Sequence, residues 1–166
     1  MEYDISKFQL FQGVDKRSIN KLAEKMSIKK YQKEDVVIQE SSVGNELYVL
    51  LDGEVIIQKA LTLNTQSDND ISHNKALIHL KSEWYPFFGE FAIIEENAQR
   101  TASVIASTEC TMGVFTREDI MKYMDDHPKC GYNVFQNIAR VMGDRLKNTN
   151  RDILKLTTAL MLILED

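Results

Sequence analysis

Hydrophobic positions along the chain change period several times, and each change predicts a change of element. Between residues 18 and 26, Ile19, Leu22, Ala23 and Met26 recur at helical spacing, with Asp15 or Ser18 placed to cap a short amphipathic helix. From Tyr31 the period becomes two and β-branched residues take over, so that residues 36–38, 47–51 and 55–57 are strand candidates. Asp52-Gly53, between two of these apolar runs, is a tight-turn dipeptide and predicts a hairpin. Residues 63–75 are rich in Asn, Asp, Ser and Thr and predict a solvated loop. Strands resume at 76–80, 102–106 and 111–115, separated by a compact segment, 88–100. Short strands with frequent turn signals point to an antiparallel roll or sandwich rather than a parallel sheet.

Beyond residue 117 the helical period returns. Ile120, Met121, Tyr123 and Met124 predict one short helix that ends before Pro128. After Gly131 only Gly143 interrupts the pattern, and one helix can run to Leu164. Within it Met142, Leu146, Thr149, Ile153, Leu156, Leu160 and Ile163 alternate steps of four and three, a heptad seam. The first turns (Val134, Phe135, Ile138) suit packing against the helix's own domain. The distal half has little chain left to cover it and predicts a homodimer. The run 154–164 contains Lys155 and is too short to span a membrane.

Composition narrows the class without naming an activity. The 166 residues are 43% hydrophobic and 27% charged, which suits one domain with an appendage and excludes a dominantly disordered chain. We divide them into a globular part, 1–130, and a helical part, 131–166. Two cysteines, Cys110 and Cys130, make no disulfide scaffold and predict free thiols in a reducing compartment. The start, MEYDISKF, lacks a basic region followed by an apolar one, so the expected location is cytoplasmic. A net charge of −5 argues against a surface committed to nucleic acid, so any anion must be bound by local geometry. His73, His79 and His127 are too dispersed for a metal set, and no catalytic constellation stands out, so no enzyme is expected.

That local geometry is concentrated in FGEFAIIEENAQRTASV, residues 88–104. Gly89 lets a turn approach a ligand closely, and a helical turn starting at Glu90 offers unpaired N–H groups to an anion. Arg100 brings a forked charge suited to phosphate. Glu90 would repel a bare phosphate but can accept a hydrogen bond from a sugar hydroxyl. Phosphate and sugar together describe a nucleotide.

The segment resembles the phosphate-binding cassette of the cyclic nucleotide-binding domain, the module of catabolite activator protein and of protein kinase A regulatory subunits. Phe88-Gly89-Glu90, Ala92-Ile93-Ile94 and Arg100-Thr101-Ala102 match its pattern in order and spacing. LFQGV at 10–14 resembles the family's opening helical segment, and GNELYVLLDGEV at 44–55 its central hairpin. The resemblance covers roughly residues 10–145. It implies a mainly β fold with flanking helices: a double-stranded β-helix (jelly-roll) of eight strands followed by a long C-terminal helix.

The resemblance also implies roles for individual residues. Glu90 takes the ribose 2′-hydroxyl. Gly89 and the amides around Phe91 and Ala92 line the ribose-phosphate, and Arg100 pairs with the cyclic phosphate. Thr101 bonds a phosphate oxygen, or the guanine edge of cyclic GMP. Arg145, on the C-terminal helix, meets the base, with Thr149 and Asn150 as second candidates in a dimer. The implied function is a sensor for a cyclic nucleotide, cyclic AMP favoured over cyclic GMP, relaying through its last helix to an effector protein. No other cofactor is implied, DNA is not an expected partner because only Glu165-Asp166 follow Leu164, and a membrane is not expected because the run 154–164 is too short to span one. Two alternatives stay open: a nucleotide-free roll acting as a dimeric interaction module, and the sensor half of a transcription regulator. The sequence departs from the family in having Glu34 and Ser41 where glycine is usual, which leaves residues 42–45 to make the second turn. It also has Gln99 before the arginine and Trp84-Tyr85-Pro86-Phe87 before the cassette.

Overall fold

A computed structural model describes residues 3–61 and 73–164. Eight strands form two four-stranded antiparallel sheets. One sheet has the order β1 (Ser27–Tyr31), β8 (Cys110–Thr116), β3 (Glu46–Asp52), β6 (Phe87–Phe88); the other has β2 (Val36–Ile38), β7 (Ser103–Ala106), β4 (Glu54–Leu61), β5 (His73–Lys81). The two sheets face each other as a jelly-roll. Among the described residues four α-helices flank it: α1 (Lys16–Lys25), the single turn α2 (Phe91–Ile94), α3 (Arg117–Asp126) and α4 (Pro128–Leu164).

The pleat of β3 explains why its sequence is apolar from Leu47 to Leu51. Tyr48 and Leu50 point into the roll with Val55, Val104, Met112 and Val114, while Leu47 and Val49 point outward under the helices with Leu22, Phe115, Ile120 and Val134. A strand covered on both faces has no polar alternation to show. Phe87 and Phe88 divide in the same way, one to each core. Asp52-Gly53 turns β3 into β4, as expected, with Gly53 at φ +88°.

Three expectations need correction. The β pattern begins at Ser27, not Tyr31: β1 pairs with β8 from Ser27↔Val114 to Tyr31↔Cys110. It went unseen because it is largely exposed and carries Lys29 and Lys30, a usual guard on an edge strand. The expected loop is also too long, since residues 73–75 belong to β5, paired with Leu61, Ala60 and Lys59; residues 62–72 lie outside the described residues. The turn before β3 starts earlier than residue 42. Ser41 enters it with φ +64°, and Glu34 makes the preceding turn with φ +75°.

The N-terminal turns and the first half of α4 pack on the outer core. Asp15 caps α1 by accepting from the Ser18 amide (3.0 Å), and Thr116 caps α3 by accepting from the Asp119 amide (3.1 Å). Asn137, buried on α4, donates to the carbonyls of Leu10 (3.0 Å) and Gln12 (2.8 Å), and Asn133 donates to Gly13 (2.8 Å). These bonds tie the N-terminal turns to the first half of α4. Past Met142 the helix leaves the core: Leu146, Ile153, Leu156, Leu160 and Ile163 are each more than half exposed.

Candidate functional site

The segment between β6 and β7 is short, so its backbone conformation decides where its side chains go. Gly89 has φ +79°, and a Cβ there would come within 2.8 Å of the Arg100 guanidinium and 2.9 Å of the Glu46 carbonyl. Gly44 closes over the same guanidinium from the other side, at 2.5 Å from a would-be Cβ. Two glycines therefore make the slot in which Arg100 lies. Its backbone is pinned as well: the Arg100 amide donates to Ser42 and its carbonyl accepts from Ser41, both at 2.8 Å.

Arg100 is 7% exposed and Glu90 5%, which is costly for charged groups unless they are paired. Arg100 donates to the carbonyls of Glu46 (2.8 Å) and Gly89 (3.3 Å) and lies 3.5 Å from a Glu46 carboxylate oxygen. Glu90 is paired with Arg145 of α4. The second arm of Arg145 donates to the Phe87 carbonyl at 3.0 Å, and its guanidinium carbon lies 5.9 Å from the Phe87 ring centre.

These groups border one cavity of about 390 Å³. Gly89, Glu90, Phe91, Arg100, Thr101 and Arg145 all line it, so the structure brings together six of the seven residues singled out from the sequence. The seventh, Ala92, does not line it. Its side chain is fully buried in the protein, and its amide is bonded to the Gly89 carbonyl at 3.1 Å. Among the described residues the amides of Glu90 and Phe91 make no hydrogen bond, and they remain open to an acceptor. Arg145 is in the cavity wall, but its guanidinium is engaged by Glu90 and Phe87 rather than held free for a base. Thr149 also lines the cavity, with its hydroxyl donating to the Arg145 carbonyl (3.0 Å), whereas Asn150 does not.

Sequence reasoning missed the apolar wall: Ile38, Ile57, Ile78, Val104 and Met142. One signal was available. Val55, Ile57 and Lys59 alternate along β4, and that single face runs from the roll's core at Val55 to the cavity at Ile57 and Lys59. The register Ile57↔Ile78 on β5 then places a second isoleucine beside the first. The strands thus give the cavity a mainly apolar wall, with Lys59 at one end, and the 89–101 segment gives it Glu90 and Arg100, an arrangement that suits a ligand with a flat apolar part and an anionic part.

Elsewhere the chemistry is quiet. Among the described residues no three potential metal ligands cluster. Cys110 and Cys130 are free and buried. Cys110 Sγ donates to the Glu54 carbonyl (3.1 Å), and burial pushes the Cys130 thiol up, away from nucleophilic use. Among the described residues no helix is long and apolar enough to cross a membrane.

Comparison with known proteins agrees with this geometry. The family model for the cyclic nucleotide-binding domain matches residues 28–127. A CRP-like cAMP-activated global transcriptional regulator of Mycobacterium tuberculosis is 24% identical over 156 residues, 94% of this chain and 63% of the regulator. A cGMP-dependent protein kinase of Plasmodium berghei is 32% identical over 104 residues, 62% of this chain and 10% of the kinase. The catabolite activator protein of Thermus thermophilus superposes with a TM-score of 0.73 at 19% identity, over 90% of this chain and 63% of that one. The regulatory domain of Toxoplasma gondii PKA, solved with cAMP, gives 0.66 at 17% identity, over 84% of this chain and 47% of that one. This chain spans 63% or less of the length of each of these relatives. The family match takes in both sheets and the whole 88–102 segment, and the chain belongs to the cyclic nucleotide-binding domain family.

Proposed function

We propose that this domain is a regulatory sensor, not an enzyme, that binds a cyclic nucleotide in the cavity beside Gly89, with cyclic AMP favoured over cyclic GMP. One observation carries the reading: two buried side chains of opposite charge, Glu90 and Arg100, border a cavity that is also lined by the apolar side chains of Ile38, Ile57, Ile78 and Val104. The cyclic phosphate docks on Arg100 and on the amides of Glu90 and Phe91, with Thr101 bonding a phosphate oxygen. Glu90 accepts the ribose 2′-hydroxyl, and the purine lies along Ile57, Ile78 and Val104. Support for adenine comes from the relatives, since the Mycobacterium tuberculosis regulator is described as cAMP-activated and the Toxoplasma gondii domain was solved with cAMP.

The same helix that walls the cavity at Met142, Arg145 and Thr149 carries the exposed seam from Leu146 to Ile163. We assign that seam to a second copy of this chain. The output is then a change in how α4 is held when the cavity fills. Ligand binding shifts α4 only as far as its two placements differ in affinity for the nucleotide.

Calorimetry of the full chain with cyclic AMP, cyclic GMP and linear AMP tests the proposal. Cyclic AMP is expected to bind most tightly, and no binding of either cyclic nucleotide at millimolar concentration would refute it. Arg100→Ala removes a buried charge-assisted contact worth about 1.5–3 kcal/mol, so affinity should fall at least tenfold. An unchanged affinity would place the ligand elsewhere.

A further inference from the structure

Among the described residues four charged side chains line the cavity: Lys59, Glu90, Arg100 and Arg145. Three of them are engaged within the protein, Glu90 with Arg145, and Arg100 with Glu46 and Gly89. Lys59 is the exception. Among the described residues its ammonium has no hydrogen-bond or ion-pair partner, and its side chain is exposed. It stands on β4 two positions past Ile57 and on the same face, about 7 Å further along the strand. The register sets Ile57 between Val104 of β7 and Ile78 of β5, so Lys59 ends the wall that those three apolar residues form.

A lysine at that point does not complete the wall as an isoleucine would. Its stem lies along apolar surface, but its head carries three N–H donors and no acceptor. The phosphate is not the group it meets. Arg100, which receives the phosphate, is anchored on Glu46 of β3, in the opposite sheet. What reaches the end of the isoleucine wall is the edge of the ligand's flat part. Adenine offers there N7 as an acceptor and its 6-amino group as a donor, whereas guanine and hypoxanthine offer N7 and a 6-oxo group, two acceptors. An ammonium is satisfied by both atoms of a 6-oxopurine and faces a like donor on adenine.

We propose that Lys59 is a specificity-determining residue of the cavity: it donates to the N7 and 6-oxo edge of a purine and so admits 6-oxopurine cyclic nucleotides as a second class of ligand. This rests on the function proposed above and refines its base preference. The preference for cyclic AMP comes from the rest of the cavity, and Lys59 narrows it.

The test is the ratio of affinities for cyclic AMP and cyclic IMP, by calorimetry on the full chain. The two ligands share phosphate, ribose and N7. They differ in the 6-substituent and the accompanying proton at N1, so a contact to phosphate or sugar cancels in the ratio. Lys59→Met keeps an apolar stem and loses the donors. It should shift the ratio toward cyclic AMP by about fivefold, a modest effect for a hydrogen bond to a charged group because Lys59 is exposed. Lys59→Glu, which accepts from the 6-amino group, should shift it further the same way, and Lys59→Arg, which keeps donors, should hold it near that of the unaltered protein. The proposal is overturned if Lys59→Met leaves the ratio unchanged, including the case in which both ligands weaken equally, as a phosphate contact or a structural role would require. It is also overturned if the ratio moves toward cyclic IMP, or if the unaltered protein binds cyclic AMP but no cyclic IMP at millimolar concentration. Should Lys59→Met fail to fold, Lys59→Glu decides by the same criterion. If the unaltered protein binds neither nucleotide, the proposed function itself fails and this proposal with it, an outcome distinct from all the others.

Discussion

Four described residues other than glycine, Glu34, Ser41, Tyr85 and Asn97, have left-handed backbones. For an L-residue that conformation costs about 1–2 kcal/mol, whereas glycine's extra chain entropy costs about 0.5–1 kcal/mol. Glu34→Gly and Ser41→Gly should each therefore stabilise the fold, by about 0.5 kcal/mol, seen as a higher urea midpoint with unchanged slope. At these two positions, where the resemblance led us to expect glycine, the departure is a local backbone strain. Gly89 is the opposite case. Gly89→Ala meets both a positive φ and a 2.8 Å approach to Arg100, and it should destabilise the protein while displacing the guanidinium. A thermal midpoint equal to that of the unaltered protein would contradict that account.

At the scale of elements, the caps give the fold a defined response to acid. The Asp15 carboxyl is held below its ordinary 3.8 chiefly by the Ser18 amide, and that of Asp119 below the same value chiefly by the Thr116 hydroxyl. Because the folded values are depressed, this stabilisation is complete above the unfolded value, near pH 4, and is lost as pH falls through the folded values. Asp15→Asn keeps a capping side chain but cannot titrate. Its thermal midpoint should fall less steeply between pH 5 and pH 2, about the range in which carboxylates titrate; parallel curves would exclude the cap as a cause.

The helix α4 shows both what periodicity reveals and where it stops. The seam from Met142 to Ile163 could be read from spacing alone. With burial known, it continues backwards through Ala139 and Phe135 to Tyr132, which is 66% exposed, because the inward face is occupied by Val134, Asn137 and Ile138. An Ile153→Glu, Leu160→Glu variant should sediment as a monomer where the unaltered chain sediments as a dimer. If both sediment alike, the seam is not the contact between copies. The edge strand β1 was the converse failure. Its burial does not alternate, so period two could not reveal it, and only its ladder with β8 does.

For the molecule as a whole, the cavity joins parts that no local pattern connects: β2, β4, β5 and β7, the 88–102 segment and α4. A ligand at a hundred times its Kd adds about 2.7 kcal/mol to folding stability, and a domain of this size gains about 2–4 °C in Tm per kcal/mol. Cyclic AMP at that excess should therefore raise Tm by about 5–10 °C, and Arg100→Ala at the same concentration should lose most of the shift. A shift that survives Arg100→Ala intact would separate binding from this cavity.

The sequence by itself determined whatever depends on neighbours within a few positions. It predicted the Asp52-Gly53 hairpin, the capped α1, the short α3 ending before Pro128, the long α4, and the ordered run from Phe88 to Ala102 that marks the family. Turn chemistry and periodicity act over one to four residues, so they can be read along the chain. Only the tertiary structure decided which partners the charged groups take. Arg100 lies on carbonyls of Glu46 and Gly89 because two glycines leave a slot there, and Arg145 reaches Glu90 because the outer core sets where α4 crosses the 87–90 segment. Those contacts join residues as many as 55 positions apart, and their geometry follows from how side chains fill the core, which no pattern along the chain records.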